Sequence, residues 1–333
     1  MSISALRTEV GERLLAFAWD EWGQLGVLAR SDRRDRWAID PEALVLFTLE
    51  IGRDDPRLFD EVLDWLVVNE RLVSVQRLRN LAADDADRAL AEAALGWVAR
   101  WRPRARLTAK AANGGSGLDG SEPLFRTSRV PTRQLDEAFL AHGFLKPDVE
   151  PSRNSQRPDP ALPANFAFRL RNLLGVGARA EAIRVLLGVD APNVTAQVVA
   201  ASAGYSKRNV HEALASLQAA GVLDVLVVGN EQRFRAPRER WAALLGIEAD
   251  ELPHHRDWPA LLHALRRIVR WLADPQEDEL SDYMRASRAR ELVEEIGPDL
   301  RFAGVFVTDG GRPGAEYWED FVGTVRAALD ALT

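Results

Sequence analysis

Apolar residues recur at helical spacing over most of the chain, and the interruptions of that spacing define its organisation. Near the start, Leu14, Leu15, Phe17, Ala18 and Trp22 fall at helix-like intervals. Asp40 followed by Pro41 predicts an N-cap and a first helical residue for EALVLFTLEIG. Asp54 or Asp55 with Pro56 repeats the device before RLFDEVLDWLVV, where Leu58, Val62, Leu63, Leu66 and Val67 form one stripe. A shorter helix is expected over 73–81. A longer one is expected over 86–101, with Leu90, Ala94, Trp97 and Val98 inward. These patterns predict an N-terminal helical domain over 1–102, read first as a small bundle. The alternative is a second helix-turn-helix, with Ser74 opening VQRLRNLA.

The character changes over 103–162. AANGGSGLDGSEP reads as a loop, a short helix is expected over 133–141, and KPDVEPSRNSQRPDPALP is rich in proline and poor in apolar residues. The stretch is expected to be a linker or an extended segment lying against the surface. Residues 100–133 hold eight basic residues (Arg100, Arg102, Arg104, Arg106, Lys110, Arg126, Arg129, Arg133) against Asp119 and Glu122, a local balance of +6. A solvated charge run is the plain reading, and a phosphate-tracking arm the sharper one.

The clearest pattern lies in 163–240. FAFRLRNLLG reads as a helix ended by Gly175. ARAEAIRVLLG reads as a second, with Ala180, Ile183, Leu186 and Leu187 inward. Thr195 is a good N-cap for the short helix AQVVAASA, with Val198, Val199 and Ser202 on neighbouring turns. Gly204 supplies the left-handed residue that a tight helix–helix turn needs. Ser206 caps the next helix, over 206–220, whose inward stripe is Val210, Ala213, Leu214 and Leu217. VLDVLVV and QRFRA flank Gly229-Asn230 and read as a β-hairpin.

Helix, helix, glycine turn, helix and hairpin in that order resemble the winged helix-turn-helix of bacterial DNA-binding regulators of the ArsR or MarR kind. The resemblance rests on the small-residue helix before Gly204, on Tyr205-Ser206, on Val210, Leu214 and Leu217, and on the AAGVL exit to the hairpin. It covers about residues 176–236. The fold class it implies is mainly α, a winged helix-turn-helix with a β-hairpin wing flanked by helical domains. The implied function is double-stranded DNA binding and transcription regulation, as a homodimer whose second helix enters the major groove. With Val210 and Leu214 inward, Arg208, His211, Glu212 and Ala215 turn outward. Arg208 suits a guanine edge and Asn209 an adenine edge. Thr195, Ser206 and Lys207 suit phosphates, and Asn230, Gln232 and Arg233 at the wing suit backbone or minor groove. The same module also serves elsewhere as a protein-interaction or antitoxin-like partner module.

Beyond the wing, RERWAALLGI and DWPALLHALRRIVRWLAD are amphipathic, with Trp241, Leu244, Leu245, Trp258, Leu261, Leu262, Leu265, Ile268 and Leu272 expected in a core. A helix over 279–296, a short strand over 302–307 and a closing helix over 316–332 complete a C-terminal helical domain expected over 241–333. In the closing helix Trp318, Phe321, Val322, Val325 and Leu329 are read as inward. A small-ligand pocket between these helices is an alternative use of their aromatic stripes.

Composition narrows these readings. The 333 residues carry a net charge of −7, which excludes a chain-wide basic coat. Between Phe166 and Arg240, however, ten basic residues face six acidic ones, a local balance of +4 that leaves −11 elsewhere. Lysine occurs only at Lys110, Lys146 and Lys207, so arginine supplies nearly all the positive charge. There is no cysteine, which excludes disulfides, thiolate metal sites and cysteine nucleophiles. His254 and His255 are adjacent and point apart, Gly175-Val176-Gly177 lacks a dinucleotide fingerprint, and GGSGLDG lacks the ending of a P-loop. No cofactor, metal or enzymatic activity is therefore expected. The first residues, MSISALRTEVGERLL, place Arg7, Glu9, Glu12 and Arg13 where a signal peptide needs an apolar stretch. No stretch is long and apolar enough for a membrane span, so a cytoplasmic protein is expected.

Overall fold

In the computed structural model the two Asp-Pro devices start helices as their chemistry dictates: Asp40 accepts from the Ala43 amide at 3.1 Å, and Asp55 from the amides of Arg57 and Leu58. The structure describes residues 1–27, 37–102, 120–127, 134–189, 191, 193–307 and 311–333. Helices α1 (Ile3–Gln24), α2 (Pro41–Ile51), α3 (Pro56–Asn69), α4 (Val75–Leu81) and α5 (Asp85–Trp101) make up the N-terminal part. Strand β1 (Glu122–Pro123) pairs in parallel with β2 (Phe144–Leu145), on either side of the four-residue helix α6 (Glu137–Leu140).

Next comes the central unit. Helices α7 (Phe166–Leu174) and α8 (Ala178–Gly188) lead to strand β3 (Val194–Thr195), helix α9 (Ala196–Ala203), helix α10 (Lys207–Ala219), strands β4 (Asp224–Val228) and β5 (Glu231–Arg235), and helix α11 (Arg238–Leu245). The C-terminal part contains α12 (Trp258–Ala273), α13 (Gln276–Glu279), α14 (Asp282–Phe302) and α15 (Tyr317–Asp330). The chain is mainly helical. Its larger sheet runs β3-β5-β4, all antiparallel, with Val194 opposite Phe234 and Val225 also opposite Phe234.

Two apolar cores hold these elements. One gathers side chains from α1–α5 together with α12, α14 and α15. Phe17 on α1 stacks on Trp258 of α12 at 5.6 Å, and the Trp258 indole donates to the Ala38 carbonyl at 3.0 Å. The helices expected to form a separate C-terminal domain thus complete the N-terminal bundle, because α12 is apolar along a stripe too wide for α14 and α15 alone to cover. The second core belongs to α7–α11 and the three-stranded sheet, with Leu187, Val199, Val210, Leu214, Phe234 and Trp241 inside. Helix α11 therefore packs with the central unit, whereas the sequence grouping assigns most of it to the C-terminal part.

Other expectations need correction in detail. No strand forms over 302–307: α14 continues to Phe302, and the chain then turns through Gly304 at φ +77°. Leu244, read as core, is exposed on α11. On helix α4, Arg77 and Leu78 are buried by the rest of the protein, while Gln76 and Asn80 are exposed. The described residues of 134–165 form an extended strap and not a free linker. Gln156 bonds Gly26 through its amide at 2.7 Å, Asp64 accepts from the Arg153 and Ser155 amides, and buried Lys146 pairs with Asp60 at 2.8 Å. Gly26, at φ +96°, is required there because a Cβ would meet the Gln156 carbonyl oxygen at 2.7 Å.

Candidate nucleic-acid interface

Capping and a left-handed glycine build the centre of the candidate site. The Thr195 hydroxyl accepts from the Val198 amide at 3.4 Å and starts α9. Gly204, at φ +65°, ends it. Ser206 accepts from the Asn209 amide at 3.2 Å and starts α10. The inward stripe of α10, Val210, Ala213, Leu214 and Leu217, is buried as its spacing predicts, which leaves the opposite face in solvent.

That exposed face divides into three tracks at i, i+4 spacing. Lys207 and His211 share one track and open into a cleft of about 650 Å³. Its other walls are Thr195, Ala196 and Gln197 at the start of α9, and Val227 to Gln232 at the hairpin tip. The cleft therefore unites Thr195, Lys207, His211, Asn230 and Gln232 from the predicted set. Arg208 and Glu212 occupy the next track and pair with each other at 3.0 Å. Asn209 lies on the third, facing a different groove of about 390 Å³ walled by Gly175, Val176, Gly177 and Arg179. Arg233 leans on Glu231 at 3.1 Å. Ser206 is exposed beside the cleft, with one lone pair already given to its cap. Sequence reasoning missed Gln197, Val227 and Val228. The signal for Gln197 was its place in the first turn after the Thr195 cap, on the side of α9 left free by the Val199 and Ala203 contacts.

The electrostatics of the unit differ from its charge count. Arg171 and Arg184, two of its ten cations, are buried and face inward. They belong to a closed ring of six buried charges. Arg77 donates to Asp40 through both terminal nitrogens and to Glu42 at 2.8 Å. Arg171 donates to Glu42 at 2.6 and 2.8 Å, and to Glu181 at 2.6 and 3.0 Å. Arg184 donates to Glu181 at 2.8 Å and to Asp40 at 3.1 Å, which closes the circle. Burial alone would raise the pKa of Asp40, but Arg77 and then Arg184 hold it below the usual carboxylate range. Glu181 is held far below its usual value against the same burial, first by Arg171, then by Arg184 and Arg77. Burial would likewise lower the pKa of Arg77, but Asp40 and Glu181 raise it well above its ordinary value.

The ring ties the N-terminal bundle to the back of the α9–α10 turn. Arg77 Nε donates to the Ala203 carbonyl at 2.6 Å, Ser74 and Tyr205 share a hydrogen bond at 2.8 Å, and Asn80 donates to the Gly204 carbonyl at 3.1 Å. Such a ring fixes geometry more surely than it adds net stability, because desolvating six charges offsets most of their mutual attraction. Among the described residues of the central unit, Arg179, Lys207 and Arg235 are exposed cations without a carboxylate partner.

One further charged cluster invites a metal reading. Ligand-type atoms of Asp84, Asp87 and His263 lie within 4.8 Å of one another. Both Asp87 oxygens already accept from Arg266, at 2.7 and 3.1 Å, and Arg270 reaches Asp87 and, at 2.7 Å, Asp84. A cation would have to displace two guanidinium groups, so the cluster reads as the ion-pair seam between α5 and α12. His255 is half-buried, its amide bonded to the Gly188 carbonyl at 2.9 Å, so it ties the central unit to the segment before α12.

Comparison with family models, with curated proteins and with solved structures finds no match for this chain. Among the described residues, no helix is long and apolar enough to cross a membrane.

Proposed function

We propose that the central unit is a winged helix-turn-helix that binds double-stranded DNA and serves transcription regulation, with α10 entering the major groove. The observation that carries this reading is the single cleft in which Lys207 and His211 of α10 face Gln197 and the hairpin residues Asn230 and Gln232. A helix N-terminus, a cation and amide side chains share one concave face there, as groove contacts require. In this arrangement Lys207 holds a phosphate, His211 and Gln197 reach base edges, and the hairpin tip follows the backbone. Arg208, paired with Glu212, must exchange partners before it can read a guanine.

The test is binding of a pool of genomic duplexes at several salt concentrations, with wild type and with Lys207→Ala combined with Gln232→Ala. The expected result is salt-dependent binding by wild type, an affinity loss of about tenfold in the double variant, and a log–log salt slope shallower by about one. Wild-type protein that retains no duplex, or a variant with unchanged affinity and slope, overturns the reading. The second reading, a protein-interaction module, is favoured by one specific feature: Leu226, Val227 and Val228 of the hairpin are exposed. Capture of a protein partner by wild type and its loss on Val227→Lys, without duplex binding, would establish that reading instead.

A further inference from the structure

Strand β4 is the outer strand of its sheet, with β5 on one side and no strand among the described residues on the other. An uncovered edge offers a row of unpaired N–H and C=O groups, and proteins usually guard such edges with Lys, Pro or a bulge. Strand β4 has none of these. Its sequence, DVLVV, pairs residue for residue with β5 from Asp224 opposite Arg235 to Val228 opposite Glu231. Leu226, Val227 and Val228 are 49%, 61% and 48% exposed. We propose that this edge pairs with the same edge of a second copy of the chain, antiparallel about a two-fold axis through Leu226, when two copies share one duplex. The duplex clause rests on the DNA-binding reading above; the pairing itself does not.

The strand is complementary to itself. A two-fold axis at Leu226 sets Leu226 opposite its mate and Val225 opposite Val227 twice, all aliphatic pairs that remove apolar surface from water. The one charged residue, Asp224, then falls opposite Val228. At a rise of about 3.4 Å per residue the two Asp224 positions stand roughly 14 Å apart, whereas parallel pairing would set the carboxylates side by side. A peptide of another protein has no such reason to match.

The pairing also gives a useful geometry. Val225 lies opposite Phe234, whose ring is in the core, so Val225 and Val227 face the helical side of the sheet and Leu226 the open side. A two-fold axis perpendicular to the sheet keeps the helical layers of both copies on the same side. The sheet order becomes β3-β5-β4-β4-β5-β3, and at about 4.8 Å per step its outer strands lie roughly 24 Å apart. Both copies of α10 thus serve one side of the pair. Two five-residue strands bury far less than the roughly 1,200 Å² of a stable interface. The contact is therefore weak in dilute solution and fills when a shared duplex raises the effective concentration.

Because the chain contains no cysteine, single thiols report on this cleanly. In the pair, Leu226→Cys opposes its own mate within the roughly 4.4–6.8 Å Cα separation that a disulfide spans. Val228→Cys stands about 14 Å from its mate and does not. Both sites are exposed, so both variants keep the fold. With a copper–phenanthroline oxidant at high protein concentration, Leu226→Cys is expected to cross-link at least about tenfold faster than Val228→Cys. A duplex long enough for two copies is expected to speed it further. Equal rates for the two variants, with and without duplex, overturn the proposal. A fast Leu226→Cys link that duplex leaves unchanged sustains the pairing and overturns its duplex clause alone, so failure of the DNA reading remains distinguishable.

Discussion

Replacing Arg77 by methionine tests the buried ring most directly. The side chain is fully buried and donates to both Asp40 oxygens, to Glu42 at 2.8 Å and to the Ala203 carbonyl at 2.6 Å. Arg77→Met removes all of these and turns a neutral ring of three cations and three anions into one with an unbalanced negative charge. The remaining partners soften the effect only in part: Asp40 keeps Arg184 at 3.1 Å, and Glu42 keeps Arg171 and the Ser74 amide at 2.7 Å. Breaking one member out of a buried ionic network costs about 3–5 kcal/mol, a large share of the roughly 5–15 kcal/mol that holds a domain together. The expected outcome is an unfolding free energy lowered by that amount, read as a lower urea midpoint with little change in slope and followed by tryptophan fluorescence. Adding Glu42→Gln restores neutrality, so the double variant is expected to recover at least about 1 kcal/mol relative to additivity.

Acid pH gives a second reading of the same variant. Asp40 and Glu181 have folded-state pKa values below their unfolded values of about 3.9 and 4.3. Their stabilisation is therefore complete above roughly pH 5 and is lost as the pH falls through 4 and below. In Arg77→Met the Asp40 carboxylate loses its main cation, so stability is expected to fall less steeply between about pH 5 and 3 than in wild type. A single-variant loss under about 1 kcal/mol, or an additive double variant, would refute the view that the ring acts as one charge-balanced unit.

Two smaller perturbations follow. Glu212→Ala releases Arg208 from its 3.0 Å pair on the exposed face of α10, and duplex affinity is expected to rise by about twofold to fivefold with a steeper salt slope. Equal or weaker binding would show that Arg208 lies off the contact surface. Gly204→Ala places a methyl group 2.8 Å from Leu81 Cδ2 at a φ of +65°, and is expected to destabilise by about 1–2 kcal/mol in the same urea assay. An unchanged midpoint would mean that the α9–α10 turn tolerates a side chain against α4.

What the sequence made legible was local. Thr195, Gly204 and Ser206 set helix boundaries by capping and by conformation within three or four residues, and the α10 stripe follows from spacing alone. The third strand, Val194–Thr195, escaped because two residues carry no alternation, and one of them also serves as a cap. The merging of α12, α14 and α15 into the N-terminal core escaped because an amphipathic stripe says that a helix is covered, not by what. The ring joins residues as far apart as Asp40 and Arg184. Yet part of it left a trace. Helix α8 is apolar nearly all round, with Ala180, Ala182, Ile183, Val185, Leu186 and Leu187 buried. A helix without a polar face is enclosed on every side. Glu181 and Arg184, three apart within it, therefore had to be buried, and buried charges need partners from elsewhere in the chain.

The same accounting changes what the positive balance of the central unit means for its proposed partner. Arg171 and Arg184 belong to the ring, Arg238 is held by the Leu187, Ala249 and Leu252 carbonyls, and Arg208 and Arg233 lean on neighbouring carboxylates. Arg179, Lys207 and Arg235 are the exposed cations of the unit left without a carboxylate partner among the described residues. Each phosphate neutralised adds about −0.9 to the log–log salt slope, so even if all three met phosphate one copy would have a slope no steeper than about −3 and a weak electrostatic hold. Two copies joined through β4 double the contacts and the slope without any new side chain. On the proposed pairing, binding by two copies is expected to show about twice the salt slope of binding by one. The salt slope, read at low and at saturating protein, distinguishes one copy from two.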